Sequence, residues 1–445
     1  MNAVKIAVRI AVRIGGAGLV LLLAAACTAP APPRGEAGTP AGTACAPPQG
    51  PPEPETPTTI DVVEQAYFCV PGTPELLTAG FAALVRRLNR DGRDLPEAAM
   101  PALTGDRAAD WAAFETRFRA IGDRLPARRE ELAAAVLEGM VAALGGHARW
   151  ERRPRVPPDH HDGDGYGLGL RTSDPALPPL FVTAVDGGPA RAAGLRPGDV
   201  VESADGEIDA VYPDARPVRL RLLRPDTGRR WSVTLTPGVY PRDPAGLRVV
   251  RAELLGDVVH VRMTGFPPGA ADRALRAVAR LRAGRTAAGV VLDLRGNGGG
   301  SSAEATRLLS AFVHGAVTAY LCAPDGACES DWTDDTVALL GLPLVVLVDH
   351  GCAAACEHVA SAVRDLRAGP LVGTRTAGAV PGASRQVLLR DNTVLSLPTR
   401  HHLGPGREVV DGIGVPPDHH VPPTARDAAA GRDLALDRAL TLLHQ

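Results

Sequence analysis

The residues best placed to do chemistry lie in the run Gly351-Cys352-Ala353-Ala354-Ala355-Cys356-Glu357. Before it, Leu344-Val345-Val346-Leu347-Val348 is a short apolar run rich in β-branched residues, which predicts a buried strand. After it, Ala353 to Arg367 holds no Pro or Gly and many helix formers, which predicts a helix. A strand that turns sharply into a helix exposes the side chain at the turn. It also offers free N–H groups and the positive end of the helix dipole. That is where hydrolytic α/β folds place a nucleophile. A second turn of the same kind, Asp293-Leu294-Arg295-Gly296-Asn297-Gly298-Gly299-Gly300, follows a strand expected over 289–294. Its glycines suggest a phosphate cradle, but no Gly-Lys-Ser/Thr ending completes one.

The two turns together resemble the C-terminal-processing (tail-specific) and tricorn-type serine peptidases. In that family a run of small residues ends in Glu, and the catalytic Ser stands three positions earlier. Glu357 matches the Glu, so the resemblance puts Ala354 at the nucleophile position, and an Ala methyl cannot attack a carbonyl. The likeness continues through Asp365, Gly373 and Arg375-Thr376-Ala377-Gly378. Ala379 falls where the tail-specific branch has a catalytic Lys. The resemblance implies an oxyanion hole of two backbone N–H groups, from Gly299 and Ala355. It implies a catalytic His at His147, in Gly145-Gly146-His147-Ala148-Arg149, although Ala148 departs from the usual Thr. It puts Asp411, ahead of Gly412-Ile413-Gly414-Val415, where the tricorn-type branch has Glu. On their residues alone, His147 reads equally as an ordinary surface or core histidine, and Asp411 as a turn-stabilising Asp before Gly412.

A further resemblance covers residues 160–238. Tyr166-Gly167-Leu168-Gly169-Leu170, Phe181-Val182-Thr183-Ala184-Val185, Gly188-Pro189-Ala190 and Pro197-Gly198-Asp199 occur in the order of a PDZ domain. This implies that the Tyr166–Gly169 loop holds a peptide carboxylate with its N–H groups while the peptide adds a strand. A PDZ module also serves as a structural lid.

The chain of 445 residues has room for two or three domains. Residues 1–26 carry Lys5, Arg9 and Arg13, then Leu19-Val20-Leu21-Leu22-Leu23 and small residues, as a secretory signal does. Cys27 follows directly and resembles a lipoprotein processing site, which implies a lipid-anchored, extracytoplasmic protein. An ordinary signal peptide with a free Cys, or an uncleaved anchor, is the plainer alternative. Lys5 is the only lysine, so removal of the signal leaves none for a Ser–Lys dyad. The remaining cysteines fall in sequence pairs, Cys45 with Cys69, Cys322 with Cys328, and Cys352 with Cys356. Local disulfides are the simplest reading in an exported protein, with free buried thiols the alternative. Residues 27–58 are dense in Pro and small residues and read as a tether.

Helical spacing of Leu77, Phe81, Leu84 and Leu88, and similar patterns over 111–125 and 128–144, predict a helical domain over 59–150. A strand is expected over 258–263 and helices over 270–282 and 433–443, inside an α/β core of residues 245–445. The expected fold class is therefore mixed α/β and multidomain: helical N-terminal region, PDZ β-domain, tail-specific/tricorn-type protease core. The net charge of −2 and the lack of a basic tract speak against nucleic acid. Asp159-His160-His161-Asp162 and Asp418-His419-His420 follow Pro-Pro and read as solvated loops, so no metal or cofactor is expected. The function expected from the residues is a surface-anchored binder of peptides or unfolded protein C-termini, derived from a serine peptidase. The alternatives are a hydrolase with a displaced nucleophile (Ser301, Ser302, Ser361 or Cys356) and an envelope scaffold with a plugged PDZ groove.

Overall fold

The computed structural model describes residues 59–70, 74–144, 148–152, 163–206, 208, 216–242, 248–323, 326–380, 382 and 384–445. Cys27, Cys45 and His147, with the Asp159–Asp162 cluster, lie outside them. No helix among the described residues is long and apolar enough to cross a membrane.

Four helices open the described chain: α1 (Ile60–Cys69), α2 (Pro74–Arg90), α3 (Arg107–Arg124) and α4 (Arg129–Ala143). The residues at helical spacing in α2, Leu77, Phe81, Leu84 and Leu88, are all buried. They pack with an aromatic cluster in which Trp111 stacks on Tyr67 and Phe114. Asp106 caps α3 by accepting a hydrogen bond from the Ala109 N–H at 2.8 Å. Strand β1 (Arg149–Arg152) follows.

A small β-domain comes next, with β2 (Asp164–Gly167), β3 (Leu170–Thr172), β4 (Val182–Val185), a short helix α5 (Gly188–Ala192), β5 (Val200–Ala204), β6 (Val218–Arg224), β7 (Arg229–Leu235) and β8 (Gly238–Pro241). Leu168, Val182, Ala190, Leu195, Leu220 and Leu222 form its core.

The rest of the chain runs β9 (Val250–Leu255), β10 (Val258–Met263), α6 (Ala270–Arg282), β11 (Gly289–Asp293), α7 (Ser302–Leu309), β12 (Val317–Cys322), β13 (Cys328–Trp332), β14 (Leu344–Val348), α8 (Ala355–Asp365), β15 (Leu371–Gly373), β16 (Ser384–Leu388), β17 (Thr393–Pro398), β18 (His401–Leu403), β19 (His419–His420), α9 (Ala425–Ala429) and α10 (Leu434–Leu443). Six strands form one sheet in the order β19-β15-β14-β11-β10-β9. All neighbours are parallel except β9 with β10. Alternation along the strands fills both faces. Val259, Val261, Val290, Leu292, Val346 and Val348 join the core under α6, α7 and α8, while Val258, Val291, Val345, Leu347 and Val372 pack with Ala435 and Ala439 of α10. Burial on both faces is why these strands read as unbroken apolar runs. His419 and His420 depart from the loop expected of them: they form a short edge strand, with His419 in register with Val372.

The helical layer is not closed by its own sequence. Val387, Leu389, Leu395 and Leu397, around the β16–β17 hairpin, complete its core. β1 pairs with β17, Trp150 opposite Leu395, and the Trp150 indole N–H donates to Thr393 Oγ1 at 2.7 Å.

Candidate active site

The turn between β14 and α8 leaves the sheet at the C-terminal ends of its parallel strands, where open α/β sheets bind ligands. Three backbone bonds of 3.0 Å fix it: Cys352 N–H to Asp349 O, Ala353 N–H to Asn297 O, and Ala354 N–H to Ala379 O. Ala354 is the N-cap of α8, with φ 52° and ψ −116°. Non-glycine residues rarely adopt that conformation, and it aims the Cβ out of the turn. The methyl is partly exposed. The N–H of Ala355, first in the helix, has no partner among the described residues, as the opening donors of a helix do. Disulfide Cys352–Cys356 straddles the turn, with its Cα atoms 5.4 Å apart. Cys322–Cys328 also forms, bridging β12 and β13. Cys69 is disulfide-bonded as well.

The glycine-rich turn after β11 lies against this elbow. A Cβ added to Gly299 would sit 2.7 Å from Ala354 Cβ and 3.0 Å from Ala355 N. Gly299 and Ala355, expected to act together, are therefore neighbours. Their N–H groups differ, however. Asn297 donates through Nδ2 to Met263 O at 3.0 Å, and its Oδ1 accepts from the Gly299 N–H at 2.9 Å. In this arrangement Gly299 supplies room rather than a free donor. The exposed Gly298, one residue earlier, has an N–H without a partner among the described residues.

A third segment closes the site. Glu357, fully buried in the first turn of α8, accepts hydrogen bonds from Thr376 Oγ1 at 2.5 Å, Gly378 N–H at 2.6 Å and Ala379 N–H at 2.7 Å. Burial pushes its carboxyl above the usual range even though these donors pull the other way. The loop it holds is the one whose Ala379 carbonyl accepts from Ala354. The next residue, Val380, donates its N–H to Asp411 Oδ1 at 2.9 Å, and Gly412 N–H donates to Gly378 O at 2.7 Å. One loop thus links Asp411 to Ala354.

The other candidate nucleophiles are differently placed. Cys356 is consumed in its disulfide. Ser361 is buried further along α8, and its hydroxyl donates to Glu408. Ser301 stands at the N-cap position of α7 just after the glycine turn without a side-chain capping bond, and Ser302 is exposed. Beneath the turn, Asp293 is buried between guanidinium groups, 2.7 Å from Arg262 and 2.8 Å from Arg295. Burial alone would raise its carboxyl, but Arg295 foremost holds it far below the usual carboxylate range. Arg295 also binds Asp433 at 2.8 Å, tying the turn to α10.

Between the β-domain and the core a cavity of about 580 Å³ is lined by Arg171, Phe181, Arg262, Asp349, Thr374 and Asp433 among others. It opens beside the strand ends and does not reach Ala354. In the loop after β2, Ala190 N–H donates to Leu168 O, and Asp186 and Gly187 donate to Gly169 O. The N–H groups of Leu168 and Gly169 have no partner among the described residues. No described group of three His, Cys, Asp or Glu side chains is placed to hold a metal ion.

An elbow, a glycine turn and a clamped loop meet at the strand ends, the arrangement expected of the peptidase core that the sequence resembles. Comparison with known proteins agrees: residues 257–421 match the model of peptidase family S41, and the chain carries a domain of that family. It is 29% identical to carboxyl-terminal-processing peptidase 2, chloroplastic, of Arabidopsis thaliana over 279 residues, 58% of this chain and 53% of that protein. It is 24% identical to the carboxy-terminal-processing protease of Bartonella bacilliformis over 328 residues, 69% of this chain and 73% of that protein. The chain thus spans about half the length of the first relative. Mature CPAF complexed with lactacystin shares the fold, with a TM-score of 0.52 at 12% identity over 83% of this chain and 99% of that one.

Two residues that matter here were not singled out from sequence, Asn297 as the strap of the glycine turn and Asp433 as the tether of Arg295, and Glu357 was read only as the end of its motif, not as the anchor of the 376–379 loop. The polar letters inside the two motifs, Asn297 and Glu357, were the available signal. Nothing local marks Asp433.

Proposed function

We propose that this chain binds extended polypeptide tails in a peptidase-type site and does not cleave them. The observation that carries the reading is Ala354 at the partly exposed apex of the elbow. There the backbone holds the geometry of a nucleophile while the side chain ends in a methyl. No acyl-enzyme forms without an attacking oxygen or sulfur. What binding needs is independent of that atom: the N–H of Ala355, the room at Gly299, and the loop held by Glu357. Residues 160–238 act as the PDZ module, with the unengaged N–H groups of Leu168 and Gly169 as the seat of a terminal carboxylate. The names of the relatives, carboxyl-terminal-processing peptidases, support tails as the ligand class. In this scheme Asp411 orients His147 as the base that an ancestral Ser used, and Cys27 carries the lipid that holds the protein at a membrane surface outside the cytoplasm.

The decisive experiment compares the natural chain, Ala354→Ser, and Ala354→Ser with His147→Ala, using an unfolded polypeptide and a fluorophosphonate label. The natural chain should show neither turnover nor labelling. Ala354→Ser should gain both, by roughly three orders of magnitude or more, since loss of a nucleophilic Ser from such a site costs on the order of 10⁶ in kcat. The double variant should lose most of the gain. Turnover by the natural chain that disappears on changing Ser301 would replace this reading with a displaced nucleophile.

A further inference from the structure

We propose that the open edge of the core sheet is a second peptide site, one that takes an extended segment with acidic residues at alternate positions. β9 is the last strand of the six-stranded sheet, and no strand pairs with its outer side among the described residues. Its inner side is engaged with β10: Arg251 lies opposite Arg262, Glu253 opposite His260, Leu255 opposite Val258. One residue before the strand, Val249 O accepts from Thr264 N–H at 3.0 Å. Hydrogen-bonded positions alternate along an antiparallel pair. Residues in step with Val249 therefore face β10, and the N–H and C=O groups of Val250, Ala252 and Leu254 point to the open side. Such a row of unpaired groups is a template for an added strand.

The charge beside this edge selects the occupant. A groove of about 860 Å³ runs between β9 and α6, and Arg248, Arg251, Arg273, Arg276 and Arg280 line it together with Val250 and Ala252. No carboxylate lines it, and none of the five arginines forms an ion pair among the described residues. Arg273, Arg276 and Arg280 share the exposed face of α6, and Arg273 also donates to Pro268 O. Asp272 on the same helix is already paired with Arg307. Five like charges around one concavity focus a positive field there. From Arg273 to Arg280 the helix rises about 10 Å, and same-face residues of a strand repeat every ~7 Å. Two acidic side chains two positions apart on an added strand thus both fall alongside the Arg273–Arg280 row. The backbone ladder supplies affinity and the arginines supply the sequence preference. This site is three strand positions from β14 and uses none of the elbow residues.

The test uses the full chain and a short labelled peptide alternating Glu with Val or Thr, with binding read by fluorescence anisotropy. Binding should weaken steeply with added salt. It should fall at least tenfold in Arg276→Glu with Arg280→Glu, and several-fold in Ala252→Pro, which removes one outward N–H and leaves the β10 ladder intact. The same peptide with Lys for Glu, or with alternate amides N-methylated, should not bind the natural chain, and this arm does not depend on any variant folding. Absence of binding, or equal binding of the N-methylated peptide, would overturn the proposal. So would co-sedimentation with phosphatidylglycerol vesicles that is stronger than peptide binding and indifferent to Ala252→Pro, because it would assign the groove to an anionic lipid surface.

Discussion

The turns after β11 and β14 leave adjacent parallel strands and touch each other, yet only one is built of glycine. After β11 the positive φ angles fall on Gly296, Gly299 and Gly300, where they cost little. After β14 the positive φ falls on Ala354, where strain on the order of 1–3 kcal/mol is expected. Strain of that size persists only if the surroundings over-determine it. Here they do, through the Ala379 carbonyl, the Cys352–Cys356 disulfide and the loop held by Glu357. The difference teaches that the elbow keeps a positive φ on a non-glycine residue only because its neighbours hold it there, whereas the glycine turn adopts its positive φ angles at little cost, although Met263, Phe266, Asp349 and Ala353 also bond to it. An elbow held from outside keeps its shape when the apex side chain changes.

The largest test of this contrast is Gly299→Ala. The new methyl would stand 2.7 Å from Ala354 Cβ and 2.8 Å from Ala353 O, at φ +97°. A loss of about 3–5 kcal/mol in urea denaturation is expected. Gly298→Ala, with nothing within 4 Å, should cost less than about 1 kcal/mol. Equal effects at the two positions would mean that the turns do not press on each other.

Acid sharpens the comparison from the helix side. α8 carries His358, whose ring packs 5.1 Å from that of His402 on β18, whereas α7 carries no histidine. Burial lowers His358 from 6.5 to about 4. Burial, and then the neighbouring His358, lowers His402 to about 3. Between these values and pH 6.5 the unfolded chain binds protons that the folded chain refuses. Stability is therefore fully present above pH 6.5 and falls as the pH drops towards 4, by about 1.4 kcal/mol per pH unit for each histidine. Urea midpoints across this range should show the slope, and His402→Phe should make it shallower. An unchanged slope would place the acid sensitivity elsewhere.

A small effect, of the opposite sign, is expected of Ala354→Gly. Relief of the strained φ outweighs the added chain entropy, for a net gain of about 1 kcal/mol in thermal or urea unfolding. A loss of stability would show that the apex is relaxed with Ala in place.

Much of the core was legible in the sequence. The strand over 258–263 and the helix over 270–282 are where apolar runs and helical spacing put them. The elbow was legible because small residues between a buried strand and a Pro-free helix leave few other readings. What could not be read is convergence. Glu357 is tied to donors 19 to 22 residues away, and no periodicity links them. The direction of the Gly299 N–H depends on the Asn297 side chain, and a glycine pattern says nothing of it. The short strand at His419–His420 exists only because Leu371–Gly373 offers an edge, so tertiary pairing overrode a loop-like composition.

The hairpin that completes the helical layer sets an order of events in synthesis. Trp150 and its partner Thr393 are 243 residues apart. At a translation rate of about 5–20 residues per second, that gap lasts on the order of 10–50 s. Through that interval α1 to α4 have emerged, but the apolar surface that receives Leu395 and Leu397 has nothing to cover it. The helical layer therefore completes its core only once the β16–β17 hairpin has been made.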